Sequence, residues 1–384
     1  MNKIKVLSVF GTRPEAIKMA PVIKALEKDD QFQSIVCLTG QHRSMLDQMV
    51  ALFELKVDYD LDIMQPNQTL SMITAKTVTL LEDILKKEKP HWLIVQGDTT
   101  SCFAAALTAF YNQINIAHVE AGLRTYNLSS PYPEEANRQL VSRIANLHFA
   151  PTPISQDNLL SEGVKKDHVT VTGNTVIDAL LWIKNRISWQ HSWSKLFKSA
   201  TKIIQDKQPF IMITGHRREN HGEGFINICQ AIHVLAKKYP NMHFIYPVHL
   251  NPNVIKPVFD LLSEIDNVHL IEPLDYEPFI YLMIHCYLVL TDSGGVQEEA
   301  PSLAKPVLVM RNTTERPEGV SAKTAKLVGT DKAHIVNEVS ALIDDANLYS
   351  QMAQAVNPYG DGLASQRIIG QLKLYDTHLN KADK

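Results

Sequence analysis

The residues in this chain that could do chemistry fall into two groups, a glycine turn with carboxylates behind it and a set of acidic residues at strand ends. In LTDSGGVQEEAPSLAKPVLVMRNTTERPE, Ser293, Gly294 and Gly295 bring bare backbone N–H groups to the start of a helix, the arrangement that holds a diphosphate. Glu298 and Glu299 follow about one turn on, where a carboxylate can accept both hydroxyl protons of a ribose. Arg316, beyond the next strand, offers a further charge for phosphate or substrate. Capping and surface charge would explain each residue alone, but not all of them in one segment. The upstream segment ITGHRRENHGEG sets His216, Arg217 and Arg218 in a glycine-bounded loop that leads into a helix, where a pyrophosphate is expected. No matching His/Asp spacing accompanies His216, which argues against a metal ligand. A donor to phosphate and a loop histidine that satisfies nearby backbone both remain open for it.

The first half carries the acids. In VFGTRPEAIK, Gly11 permits a tight turn and Pro14 suits the first position of a helix. Arg13 and Lys18 add cations there, either as a phosphate clamp or as solvated charges on an ordinary strand-to-helix turn. Neither G-x-G-x-x-G nor G-K-[ST] is present. In VQGDTT, Asp98 stands between a strand and the helix opening at Thr99; in AHVEAGLRT, Glu120 ends the next strand. Asp98 alone reads equally as a helix cap. Carboxylates at the carboxyl ends of neighbouring parallel strands are typical of a working site. In SPYPEEANRQL, Glu134 and Glu135 open a helix, as acids that favour its dipole or as the source of a third carboxylate. Three carboxylates crowded near a diphosphate repel one another, so at least one is expected to be protonated at neutral pH.

The elements that must position these groups alternate strand and helix. Apolar runs rich in Val and Ile occupy Ile4 to Phe10, Ser34 to Leu38, Trp92 to Gln96, Ile114 to Val119, Phe210 to Ile213, His243 to Val248, Tyr287 to Thr291 and Pro306 to Met310. Most do not alternate polar with apolar, so both faces should be buried, as in a parallel sheet covered by helices. Helical stretches lie at Pro14 to Lys28, Leu70 to Lys87, Thr99 to Tyr111, Glu134 to Ala145 and Phe225 to Lys238. Two such series, beginning at Ile4 and Pro209, predict an α/β protein of two doubly wound parallel-sheet domains with a ligand cleft between them. The polar stretch from Trp182 to Lys207 reads as helix or linker. The expected boundaries are residues 1–178, completed by a carboxyl-terminal helix at 363–384, and residues 179–362.

With 384 residues, the chain exceeds one ordinary core. Its 41 acidic and 38 basic residues nearly cancel, which removes the electrostatic footprint of a nucleic-acid binder or a polybasic membrane protein. MNKIKVLSVFG lacks a signal peptide's apolar core and cleavage site, and no segment approaches a membrane span of ~20 apolar residues. Cys37, Cys102, Cys229 and Cys286 are scattered, with no C-x-x-C pair; reduced thiols in a cytoplasmic protein are the expectation.

With those residues in view, the sequence resembles the bacterial non-hydrolysing UDP-N-acetylglucosamine 2-epimerases. The likeness runs through FGTRPEAIKMAP, QHRSMLDQ, GDTTS, HVEAGLRT, PEEANR, TGNTVIDALLW, TGHRRE, YPVHLNPNV, LTDSGGVQEEAPSLAKPVLVMR, TTERPE and NPYGDG, collinear over nearly the whole chain. It implies the GT-B fold, two Rossmann-like domains flanking a cleft, and interconversion of UDP-GlcNAc with UDP-ManNAc without metal or nicotinamide. Asp98, Glu120 and Glu134 match the family's catalytic carboxylates, and His216 its diphosphate contact. Arg13 and Lys18 match residues near the sugar and phosphates, Phe279 one that borders the uracil. By the same likeness Ser293, Gly294 and Gly295 bind phosphate, Glu299 the ribose and Arg316 the substrate. Gln41, Arg217 and His249 resemble a regulatory site for a second UDP-GlcNAc, whereas Ser44 and Asn67 depart from its usual pattern. Leu274 replaces a Gln that some members carry near the base. The resemblance also implies a homodimer whose product supplies surface-polysaccharide synthesis. Two other classes would use the same diphosphate turn: a GT-B glycosyltransferase and a non-catalytic nucleotide-sugar sensor.

Overall fold

The computed structural model describes residues 3–41 and 43–382, with 376–382 by backbone alone. The chain divides into two compact units, one running to Ala179 and resuming at Tyr359, the other spanning Leu180–Pro358.

The first unit is built on a parallel sheet of β1 (Ile4–Phe10), β2 (Phe32–Leu38), β3 (Tyr59–Asp60), β4 (Trp92–Gln96), β5 (Asn115–Val119), β6 (Leu147–Ala150) and β7 (Val169–Val171). Their spatial order is β3-β2-β1-β4-β5-β6-β7. Val6 to Ser8 of β1 lie beside Trp92 to Ile94 of β4, which places a reversal of strand order between the carboxyl ends of these two strands. The central strands are apolar on both faces because helices cover both: every residue of β4 is buried, as are the last five of β1.

The second unit repeats the plan with β8 (Phe210–Thr214), β9 (His243–Pro247), β10 (Val268–Ile271), β11 (Leu288–Thr291), β12 (Val307–Val309) and β13 (Ala325–Leu327), in the order β10-β9-β8-β11-β12-β13. Its reversal lies between β8 and β11, whose residues Ile211 to Thr214 and Leu288 to Thr291 pair in register.

The polar stretch from Trp182 to Lys207 holds the end of the helix Thr175–Lys184 and two short helices, Trp193–Phe197 and Ala200–Gln205. They are ordered because Trp193, Phe197 and Ile204 are buried apolar residues within an otherwise polar segment. The last helix, Ala364–Ala382, packs along the helix Arg13–Glu27. Asp178 fastens its start by accepting from the N–H groups of Ala364 and Ser365 and from the Ser365 hydroxyl. Among the described residues no helix is long and apolar enough to cross a membrane.

Candidate functional site

In the first unit, the β1–β4 reversal gathers the predicted acids. The turn after β1 is tight for a steric reason: a Cβ on Gly11 would sit 1.8 Å from Thr39 Oγ1. Behind it the helix Arg13–Glu27 begins, with Arg13 half-buried as its first residue. The N–H groups just before it are taken by a side chain absent from the sequence reading. Glu15, fully buried, accepts from the Gly11 and Thr12 N–H groups at 3.0 and 2.8 Å and from the Thr99 hydroxyl at 2.6 Å. Burial pushes its carboxyl above the ordinary value, against these hydrogen bonds.

Lys18, one turn further along, reaches into the cluster. Its ammonium lies 2.7 and 2.6 Å from the two carboxylate oxygens of Glu120. Glu120 is 7% exposed and holds a left-handed backbone, φ 63°, a conformation that costs a non-glycine residue and is typical of working sites. The Gln96 side-chain amide, at the end of β4, donates to the same carboxylate, as does the Asn174 amide at 3.1 Å.

Asp98 is not the cap of the helix that follows it. That position is Thr99, whose hydroxyl accepts from the Cys102 N–H at 3.0 Å. Asp98 is instead paired with Arg138, 2.6 Å from its carboxylate, while Asn137 donates to its backbone carbonyl. Burial raises the Asp98 carboxyl above the ordinary range; Arg138 and Lys18 pull it down, and Glu120 and Glu134 push it up. Glu134, half-buried at the start of the helix Glu134–Ile144, therefore shares the electrostatic field of Asp98. Its neighbour Glu135 points to a different task, accepting from the Thr125 and Tyr126 N–H groups and so clamping the loop before the helix.

In the second unit, the β8–β11 reversal brings the His216 loop against the Ser293 turn. The clamp is Asp292, 0% exposed and unnoticed in the sequence: its Oδ2 accepts from the His216 and Arg217 N–H groups at 2.9 and 2.8 Å and from the Asn220 amide. The His216 ring is stacked on His249, with centroids 5.3 Å apart. Burial lowers the His216 pKa, against the pull of Asp292, with His249 and Arg217 adding to the depression.

Ser293 precedes the helix Gly294–Glu299 and its N–H is held by the Thr291 hydroxyl at 2.9 Å. Gly294 and Gly295 do not need glycine for their own conformation. Neither lies in the left-handed region, and an added Cβ would meet only ordinary contacts at 3.5 and 3.9 Å. Glu299, 6% exposed, accepts from the Tyr276 hydroxyl at 2.7 Å. Phe279, half-buried, follows Tyr276 by three residues on one face of the helix Tyr276–His285. Arg316 donates to buried Glu298, so its guanidinium is engaged with its own unit. Of the regulatory matches, Arg217 and His249 belong to this unit, while Gln41 lies in the first, where its side chain accepts from the Ser101 hydroxyl at 2.8 Å. Among the described residues, no group of three or more His, Cys, Asp or Glu could hold a metal ion.

Two units with topological switch points, one ringed by carboxylates and one led by unobstructed glycines, make this a doubly wound α/β protein of the two-Rossmann-unit class. Comparison with known proteins takes the assignment further. Residues 24–373 match the family model described as UDP-N-acetylglucosamine 2-epimerase, and the chain belongs to that family. The UDP-N-acetylglucosamine 2-epimerase of Neisseria meningitidis serogroup A is 56% identical over 369 residues, 96% of this chain and 99% of that one. The crystal structure of the N. meningitidis enzyme bound to UDP-GlcNAc superposes with a TM-score of 0.85, covering 96% and 99% of the two chains at 56% identity. A putative epimerase from Listeria monocytogenes, 44% identical, superposes with a TM-score of 0.91 over 98% of this chain and 97% of its own.

Proposed function

We propose that this chain interconverts UDP-GlcNAc and UDP-ManNAc by inverting C2 of the sugar. The observation that carries the reading is the Asp98–Glu120–Glu134 cluster. There, one carboxyl is raised by burial and another is wrapped by donors, the separation of environments that acid–base catalysis needs. A sugar C2–H beside no carbonyl is too weakly acidic for a carboxylate to remove directly. Breaking the anomeric C–O bond, with its electron pair leaving on UDP, builds positive charge at C1 and acidifies that proton. A carboxylate takes it, which leaves a 2-acetamidoglucal. Return of a proton to the opposite face and re-addition of UDP at C1 give the epimer.

The departing diphosphate is held at the Ser293–Gly295 turn, with His216 sharing its charge. Support for a ligand there is that nothing within the protein requires glycine at 294 or 295, whereas a phosphate approaching the backbone would. Glu299 and Tyr276 take the ribose hydroxyls, Phe279 borders the uracil, and Arg316 contacts the substrate from the second unit. A homodimer fits the exposed apolar residues Leu80, Phe110, Tyr111 and Leu140, carried on three successive helices that pack side by side. The four free, buried cysteines fit a reducing, cytoplasmic setting, and the product fits supply of a surface polysaccharide.

The test is solvent deuterium. With UDP-GlcNAc and no acceptor, the protein should wash deuterium into C2 of the recovered sugar nucleotide. Unlabelled substrate would instead indicate a transferase or a binding protein. Asp98→Asn and Glu120→Gln should each slow the exchange by about 10²-fold or more; near-normal exchange in both would remove these residues from the chemistry.

A further inference from the structure

Glu120 is tightly constrained, and the constraint comes from several directions. Its backbone lies in the left-handed region at φ 63°. Lys18 reaches its carboxylate from the helix Arg13–Glu27, Gln96 from the end of β4, and Asn174 from the turn after β7. The two amides are themselves buried, Gln96 3% and Asn174 2% exposed. Burying two neutral amides on a carboxylate that already has an ammonium partner is more than charge neutralisation requires. Asn174 is also pinned elsewhere: its Oδ1 accepts from the Val176 N–H at 3.1 Å, and its own N–H donates to the Tyr359 carbonyl at 2.7 Å, where the chain rejoins this unit. Gly173 beside it faces Gly360 so closely that a Cβ would sit 3.2 Å from the Gly360 Cα.

We propose that Gln96 and Asn174 are positioning residues for C2 proton transfer, fixing Glu120 in its charged form and aiming its carboxylate. This rests on the epimerase reading above. The reasoning is geometric: donors arriving from separate segments leave a carboxylate few rotamers, and each bonds the charged form more strongly than the neutral one. Removing either donor makes the charged form harder to hold, so Glu120 gains its proton at a higher pH.

The experiment compares wild type, Gln96→Met and Asn174→Ser. Methionine keeps the length of glutamine without its donor; serine is too short to reach Glu120, adds no charge, and its hydroxyl can still accept from the Val176 N–H. The rate of deuterium entry into C2 of UDP-GlcNAc is measured from roughly pD 5 to 9, together with KM. Expected is a fall in kcat of about tenfold or more, KM within about twofold, and an acid limb moved up by about one unit in each variant. A merely structural role would lower the amplitude and leave the limb in place. Wild-type exchange with unmoved limbs and KM-only effects in the folded variants would overturn the positioning role alone. Absence of exchange in the wild type would overturn the epimerase reading and this role with it. The two residues come from different elements, so if one variant fails to fold, the other decides the matter.

Discussion

Lowering the pH should loosen the first unit through a pair of histidines that take no part in the proposed chemistry. His118 on β5 and His148 on β6 are directly paired across the sheet and are 0% and 1% exposed. Nε2 of His118 lies 2.7 Å from the Gly97 carbonyl, which can only accept, so that nitrogen carries the proton of a neutral ring. Burial holds His118 down to about 4, against the pull of the Gly97 carbonyl, and holds His148 down to about 3. In the unfolded chain both would titrate near 6.5. Above that pH neither state is protonated and the stability is complete. As the pH falls below it, the unfolded chain binds protons that the folded one refuses, and stability declines until the folded values are reached. From pH 7.5 to 5.0 the loss is about 2 kcal/mol for each ring, from ~1.5 units at 1.36 kcal/mol per unit. Asp98, Glu15 and Asp178, whose carboxyls burial raises, act in the opposite sense as the pH falls, so the comparison must isolate one histidine. His118→Gln keeps a donor for the Gly97 carbonyl and cannot titrate. Opening free energies of β5 amides, from hydrogen exchange corrected for intrinsic rates, should fall by about 2 kcal/mol less in the variant than in wild type over this pH span. An equal fall in both proteins would mean that His118 is protonated in the fold, and the burial argument would be wrong.

Further outcomes follow from individual contacts. Gly11→Ala forces Thr39 to rotate away from the new Cβ and to give up its bond with Ser101, so urea unfolding should register a loss of about 1–3 kcal/mol. Tyr276→Phe strips the hydroxyl from Glu299, and calorimetry should show UDP binding weakened by about threefold to tenfold while the fold is retained. Phe110→Glu combined with Tyr111→Glu places charge on side chains 53% and 66% exposed, and if the proposed homodimer uses that face, sedimentation should shift toward monomer. A dimer that persists would locate the interface elsewhere.

How much of this was legible in the sequence follows from where each strand sits in its sheet. The central strands announce themselves as unbroken apolar runs because they are covered on both faces; WLIVQ of β4 and FIMIT of β8 are examples. The strands that escape such a reading are β3, β7, β10 and β13, the outermost of both sheets, together with the four-residue β6. An edge strand is short and half-covered: Lys326 of β13 is exposed, and β3 is only Tyr59–Asp60. The Trp182 to Lys207 stretch leaves helix and linker undecided for a related reason, since its buried Trp193 and Phe197 are too few to outweigh the lysines around them.

The site divides along a similar line, between residues proposed to meet a ligand and residues that meet other residues. Asp98, Glu120 and Glu134 follow turns or open helices, where a charged side chain interrupts an apolar pattern and so stands out. Glu15, Asp292, Gln96 and Asn174 are polar and still more deeply buried, yet nothing in their local spacing distinguishes them from an ordinary cap or turn residue. Their partners are distant in sequence: Asn174 reaches back 54 residues to Glu120, and Asp292 reaches 76 to the His216 backbone. Only the sheet, by setting β4 beside β5 and β11 beside β8, turns those separations into hydrogen bonds. The acids proposed to handle the sugar are therefore read from local chemistry, but the groups that would set each acid's protonation state are products of topology. Mechanism, as opposed to reaction class, becomes readable only once the strand order is known, because strand order decides which carboxylate is surrounded by donors and which is surrounded by other carboxylates.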